Sequence, residues 1–150
     1  MYDSYNYINT VWDMHYKSLI LVNELKPRFG IWRNETDALF YVKKPISVWK
    51  KIYLIDRGRY SDGHVIELIL PIGAALVVHN YDSKCRTNIA YVKENQLGGQ
   101  SSHDWDFVYK PGEVVIPRRY DKRQFWGQGI RRVCTSGIHC FMTKGKARTY

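Results

Sequence analysis

Short apolar segments that end at turn-forming residues recur along most of the chain and constrain it to a sheet-rich fold. The segment SVWKKIYLI alternates, with Val48, Lys50, Ile52 and Leu54 on one side and the residues between them on the other, which is the period of a β-strand. Further strand candidates are DALFYVKKP, HVIELILP, AALVVH, IAYVKEN, FVYKPGEVVIP and GIHCFMT, with a Pro-Gly turn at residues 111–112. Because segments this closely spaced leave little room for long crossover helices, we expect a largely antiparallel sheet.

One amphipathic helix is predicted before this series of strands. In residues 9–25, NTVWDMHYKSLILVNEL, the side chains of Trp12, Tyr16, Leu19 and Ile20 recur at spacings of three and four, as they do on one face of a helix. The final segment, KGKARTY, predicts a short C-terminal helical turn. The expected fold class is therefore α+β, with one N-terminal helix packed on a mostly antiparallel sheet of five or six short strands. A pure β-sandwich or barrel is the alternative.

Length, apolar runs and cysteine usage restrict the class of protein. A chain of 150 residues has the size of a single domain, residues 1–150. Its longest apolar run, residues 65–78, is interrupted by Glu67 and Pro71 and is too short for a membrane helix. The start, MYDSYNYINT, lacks the regions of a secretory signal, so we expect a protein that is neither secreted nor bound to a membrane. Three cysteines without a C-x-x-C pair predict free thiols in a reducing compartment.

Positive charge is concentrated in the last quarter of the chain. The formal net charge is +9. Between Lys110 and Tyr150 there are ten Lys or Arg residues and two acidic residues, whereas the first 109 residues carry thirteen and twelve. Such asymmetry indicates a polyanionic partner.

The segment RRYDKRQFWGQGIRR combines this charge with aromatic side chains. Arginine and lysine neutralise phosphates while aromatic rings stack on bases, as in proteins that bind single-stranded nucleic acid. Arginine beside tryptophan and tyrosine is also typical of anchors in protein interfaces. We therefore predict a surface that binds nucleic acid or an acidic protein. A solvated cationic face with a buried tryptophan is the alternative. The predicted binding residues are Arg118, Arg119, Lys122, Arg123, Trp126, Arg131 and Arg132.

Three cysteines and a histidine, Cys85, Cys134, Cys140 and His139, are candidate ligands of a zinc ion. Cys134 and Cys140 are separated by five residues, and His139 and Cys140 are adjacent on a predicted strand. Adjacent strand residues point to opposite faces, so both side chains cannot easily reach one ion. We therefore predict no metal site and interpret Cys140 as a small buried apolar residue. A cleft lined by Cys85, Cys134 and His139 would instead favour an enzyme.

Nucleophilic catalysis has two candidate segments. Cys134 follows two arginines that would stabilise a thiolate, but no partner base or oxyanion donor is identifiable. The segment QSSHDWDF places Ser101, Ser102, His103, Asp104 and Asp106 together, although catalytic triads are assembled from distant segments. We interpret it as a hydrogen-bonded loop whose residues Trp105 and Phe107 fill the core. No catalytic residue is predicted.

An ordered series of motifs carries a family resemblance. KCRTNIAYV, SSHDWDFVYKPGEVVIP, YDKRQFW and CTSGIHCFMTKGKARTY follow one another. Together they resemble an uncharacterised module of phages, large DNA viruses and some bacteria, often placed after pentapeptide repeats. The resemblance covers about Val65 to Tyr150, and GQGIRR is an insertion relative to it. It implies a viral or phage setting, with residues 1–62 as a variable helical or extended lead-in and residues 63–150 as the β-rich core.

A second resemblance concerns the strand GIHCF. Residues 137–141 with Ala147 and Tyr150 are similar to the Gly-Ile-Tyr-Phe strand and following Ala-x-x-Tyr of ADP-ribosyltransferases. That resemblance implies an NAD site, but the catalytic glutamate that those enzymes carry well downstream of the strand has no counterpart before Tyr150. We therefore expect no cofactor.

These observations favour a small basic accessory domain encoded by a virus or phage. It is expected to act without catalysis, as a binding module for an acidic protein or nucleic acid, in the host cytoplasm or in the virion. A virion structural protein, with capsid neighbours or further copies of itself as partners, is the first alternative. An ADP-ribosyltransferase-like or thiol-dependent enzyme is the second.

Overall fold

The described part of the chain folds into two short helices and a large antiparallel sheet. The structure is a computed structural model that describes residues 6–25, 37–55, 62–79, 84–102, 106–120 and 136–150. Within these ranges the helices are α1, Asn6–His15, and α2, Lys144–Thr149. The strands are β1 Leu19–Leu25, β2 Asp37–Val42, β3 Ile46–Ile52, β4 His64–Leu70, β5 Ala75–His79, β6 Lys84–Thr87, β7 Ala90–Val92, β8 Gly99–Gln100, β9 Val108–Tyr109, β10 Val114–Val115 and β11 Ile138–Phe141.

Nine of these strands form one sheet in the order β1-β2-β5-β6-β11-β3-β4-β7-β10, and β8 pairs with β9. Every pairing among the described strands is antiparallel. The mostly antiparallel sheet with small helices is confirmed, but the expected five or six strands were too few. The sequence analysis did not predict β1, β6 or the two-residue β8 as strands. It also treated the two-residue strands β9 and β10 as one segment, because two residues are too few for alternation to be recognised.

The predicted long N-terminal helix was wrong in its second half. Helix α1 ends at His15, and the apolar run that follows forms β1, which pairs with β2. In the turn between α1 and β1, the backbone N–H of Ser18 donates to the His15 carbonyl. The Ser18 carbonyl accepts the N–H of Lys43, which follows β2, at 2.7 Å. An apolar run such as LILV fits either a helix face or a strand, so pairing with a distant strand decides its conformation.

The core lies mainly on one side of the large sheet. Along β3 the side chains alternate between buried and half-buried, with Val48 and Ile52 fully buried, as the sequence alternation predicts. Trp12 of α1 stacks on Phe40 of β2, with ring centroids 6.3 Å apart, so the predicted packing of the helix on the sheet is confirmed. At the C-terminal end of the described chain, Ala147 of α2 is buried. No helix in the described part of the chain is long and apolar enough to cross a membrane.

Strands β3 and β11 are neighbours that separate along their length. β11 pairs with β6 at four successive positions, but among the described residues it pairs with β3 only at Phe141 and Trp49. Near the far end of β3, Tyr53 exchanges two backbone hydrogen bonds with Gln100, at 3.0 and 2.7 Å. Gly99 permits this approach, because a Cβ there would collide with the Tyr53 carbonyl. A cavity is left where β3 and β11 diverge under the β8–β9 hairpin.

Candidate functional site

The space between the diverging strands, called here the β3–β11 cavity, has a volume of about 540 Å³. That volume lies within the range of small-molecule binding sites. The described residues that line it come from β3, from the β8–β9 hairpin, from the segment after β10 and from the start of β11. They are Lys50, Ser101, Phe107, Tyr109, Pro117, Arg118, Arg119, Ser136, Gly137, Ile138 and His139.

Lys50 forms the floor of this cavity. It occupies an inward-facing position of β3 and is only 9% exposed. The other residues on that face are aliphatic, so a lysine is unusual at this position. Its Nζ donates a hydrogen bond of 2.8 Å to the backbone carbonyl of His139 and lies 5.7 Å from the ring centroid of Tyr109. The ammonium therefore bridges the two strands where their backbones no longer pair, in place of a ladder hydrogen bond.

Burial weakens the charge of this lysine. Removal from water lowers the pKa of Lys50 from 10.5 to about 8, and the nearby Cys140 thiol acts in the opposite direction. At pH 7 about nine-tenths of the amine is still protonated. The floor of the cavity therefore carries a positive charge that lacks most of its water, and a bound anion would stabilise it.

Two exposed arginines stand at the rim. Arg118 and Arg119 follow β10 and line the cavity from its solvent side. Together with Lys50 they contribute three formal positive charges, and the half-buried His139 is also present. None of the described lining residues is an aspartate or a glutamate. The arrangement therefore attracts anions, and the partly apolar wall formed by Phe107 and Tyr109 suits a ring or another flat group.

A buried arginine holds the rim in position. Arg86 of β6 is fully buried, its guanidinium carbon lies 4.5 Å from the ring centroid of Tyr120, and its Nη1 donates to the Ser136 carbonyl at 2.9 Å. Tyr120 directly follows the rim arginines and Ser136 directly precedes Gly137, so Arg86 fixes both chain segments that border the cavity. A desolvated cation–π contact of this kind contributes about 2 kcal/mol.

The structure brings together only part of the predicted binding surface. Arg118 and Arg119 meet at the rim of the cavity. The other predicted binding residues, Lys122, Arg123, Trp126, Arg131 and Arg132, lie outside the described residues. Phe107 packs against the core, as predicted, whereas Trp105 lies outside the described part of the chain.

The cysteines that the structure describes face the core. Cys85 and Cys140 are opposite each other on β6 and β11, and both are fully buried. His139 is opposite Arg86 in the same pairing, on the other face of the strand. The interpretation of Cys140 as a buried apolar residue is therefore confirmed. Among the described residues no group of three His, Cys, Asp or Glu side chains could hold a metal ion, and Cys134 lies outside them.

Burial of the two thiols leads to a testable expectation. Cys85 and Cys140 should react with iodoacetamide far more slowly in the native protein than in urea, because labelling requires a thiolate that the reagent can reach. Mass spectrometry of peptides from native and unfolded samples would measure this protection site by site. Rapid native labelling of either residue would contradict the packing of β6 against β11.

The sequence analysis did not identify two residues of the candidate site, Lys50 in the cavity and Arg86 next to its rim. A signal for Lys50 was present, because the alternation of β3 placed a lysine on the same side as Val48 and Ile52, which are buried. Arg86 gave no local signal of burial. Its partners Tyr120 and Ser136 are far away in the sequence.

Comparisons with known proteins give a family but no activity. A family of unknown function, DUF5758, matches residues 34–147. The match begins well before Val65, where the motif resemblance starts, and it includes Lys50, Arg86 and both rim arginines. A search of curated proteins found no match, and neither did a search of solved structures. Since the family covers most of the chain, this protein belongs to DUF5758, a family of unknown function.

Proposed function

We propose that this chain is a non-enzymatic binding module for single-stranded nucleic acid, which contacts the protein at the rim of the β3–β11 cavity. The observation that carries the proposal is the pair of exposed arginines above a buried lysine, with no acidic side chain among the described lining residues. The net charge of +9 supports it further, because non-specific affinity for nucleic acid comes mainly from phosphate neutralisation.

The cavity favours nucleic acid over an acidic protein as the partner. Guanidinium groups bind phosphate oxygens in a bidentate fashion, and two arginines, Arg118 and Arg119, line the cavity. The half-buried ring of Phe107 lines the same cavity as these cations and packs against the buried ring of Tyr109, with ring centroids 5.1 Å apart. Aromatic rings beside arginines are the usual means of holding unstacked bases, whereas carboxylates of an acidic protein need no aromatic wall.

The biological setting that we propose is a virus- or phage-encoded accessory protein that works in the host cytoplasm or in the virion. This part of the proposal is supported by the motif resemblance in the sequence. In the proteins that carry the resembled module, the module often follows pentapeptide repeats.

Loss of the rim arginines should weaken binding and reduce its salt dependence. We expect Arg118→Ala/Arg119→Ala to lose about tenfold or more in affinity for a fluorescent thymidine oligonucleotide. The slope of log affinity against log salt should fall by about 1.4, since each phosphate contact on a single strand contributes about 0.7. Fluorescence anisotropy between about 50 and about 200 mM salt measures both quantities.

The matched control removes two exposed cations elsewhere. Lys144→Ala/Arg148→Ala changes helix α2, whose residues are not among those that line the cavity, and it should alter affinity by less than about threefold. Equal losses in both double variants would contradict a binding site at the rim. If the protein binds poly-glutamate and does not bind the oligonucleotide, its partner is an acidic protein and the proposal is overturned.

A further inference from the structure

The β3–β11 cavity is closed at its inner end. Its rim residues are exposed, whereas Lys50, Tyr109 and Ile138 are all less than 10% exposed. On the same face of β3, Lys50 is flanked by Val48 and Ile52, which belong to the hydrophobic core. A group that enters between the arginines therefore meets the buried ammonium and cannot continue through the sheet.

A closed cavity distinguishes the end of a nucleic acid strand from its interior. An internal phosphodiester is bonded to a sugar on both sides, so it reaches a buried floor only if the strand enters and leaves through the same opening. A terminal phosphomonoester is bonded on one side and can point inward. It also carries a charge of about −1.5 to −2 at neutral pH, against −1 for a diester, and it has three terminal oxygens.

The floor suits such a group chemically. The ammonium of Lys50 has three N–H donors, and the carbonyl of His139 accepts one of them. The remaining donors can reach the oxygens of an incoming phosphate. A charge-assisted hydrogen bond in a site with little water is stronger than one at the surface.

We propose that the β3–β11 cavity recognises the terminal phosphomonoester of a nucleic acid strand, with Lys50 binding the phosphate at the floor and Arg118 and Arg119 binding the strand that follows. This inference rests on the proposed function, because it names which part of the nucleic acid enters the site. Lys50 supplies the preference for an end, and the two arginines supply the general affinity.

Competition between oligonucleotides that differ only at their ends tests the inference. Unlabelled thymidine strands with a 5′-phosphate, a 3′-phosphate or only hydroxyl ends would displace a labelled strand from the full-length protein. We expect at least one phosphorylated form to compete about tenfold better than the hydroxyl form. Lys50→Met should abolish this difference, so that the phosphorylated and hydroxyl forms compete alike.

Lys51→Met is the matched control, because it makes the same substitution at the next residue of β3, on the opposite face of the sheet. It should retain the preference for a phosphorylated end. If all three strands displace the labelled strand equally from the wild-type protein, the inference is overturned and the proposed function stands. If none of them binds, both are overturned. If Lys50→Met weakens all strands by the same factor, Lys50 does not read the end and the inference is again wrong.

Discussion

Replacing Gly137 by alanine is expected to destabilise the folded chain by about 3 kcal/mol. Gly137 has a φ of +153°, a conformation that residues with a side chain rarely adopt. A Cβ at this position would lie 2.7 Å from Cγ of the buried Arg86 and 3.1 Å from a ring carbon of Tyr120. The stack of Arg86 on Tyr120 fills the space, so the added methyl group must push this contact apart or move the start of β11.

Urea unfolding followed by circular dichroism would measure the loss for Gly137→Ala. Gly145→Ala is the control, because Gly145 lies in helix α2 and a Cβ there meets nothing within 4 Å. That variant should be unchanged or more stable by up to about 1 kcal/mol, since alanine favours a helix over glycine. If Gly137→Ala unfolds at the same urea concentration as the wild type, the close packing of the rim on Arg86 is wrong.

Replacing Lys50 by methionine is expected to stabilise the protein at neutral pH, although it should remove the proposed ligand contact. Lowering the pKa of Lys50 from 10.5 to about 8 corresponds to a cost of about 3 kcal/mol for keeping the amine charged in the folded chain. Methionine has a similar length and no charge. Loss of the hydrogen bond to the His139 carbonyl costs about 1 kcal/mol, so the net gain should be about 2 kcal/mol.

The gain from Lys50→Met should decrease as the pH rises. Since the pKa of Lys50 is lower in the folded than in the unfolded chain, the unfolded chain binds more protons between about pH 8 and pH 10.5. The contribution of Lys50 to the free energy of unfolding therefore rises with pH across this window. The cost is fully present below about pH 8 and is lost as the pH approaches 10.5. At about pH 9.5 the advantage of the variant should fall below about 1 kcal/mol.

Urea unfolding of wild type and Lys50→Met at both pH values tests this expectation. The difference between the two proteins at each pH reports the contribution of position 50, because every other residue is the same in both. Lys51→Met, whose side chain lies on the other face of β3, should show no comparable gain at pH 7. A Lys50→Met variant that is less stable than the wild type at pH 7 would show that the buried ammonium contributes to folding, contrary to this account.

A stabilising substitution at Lys50 would identify the lysine as a residue retained for a purpose other than stability. Proteins commonly keep buried charges at functional sites at some expense of stability.

Much of the sheet was predictable from short windows of sequence. The alternation in β3 and the turn residues after β4 and β9 mark strands because a strand has a period of two and its ends require particular backbone angles. The helix–strand boundary after His15 was not predictable in this way, since LILV suits both conformations. The strand β6 was missed because it is only four residues long and includes a lysine and an arginine.

The candidate site was predictable only at its rim. Charge clustering pointed to Arg118 and Arg119 because charge is a property of the residues themselves. The floor was not identified, even though Lys50 occupied an apolar side of an alternating strand. A lysine in a strand is usually at the surface, and local sequence does not show which neighbour it meets.

The local sequence determined the antiparallel strand pattern, the C-terminal helix and the excess of cations near the carboxyl end, because each depends on residues a few positions apart. Three-dimensional packing alone placed Lys50 against the carbonyl of a residue 89 positions away and Arg86 against one 50 positions away. Such contacts depend on the order of strands and on where β3 and β11 separate. No window of sequence contains that information, since the closure of long loops and the register of distant strands are settled by the whole core.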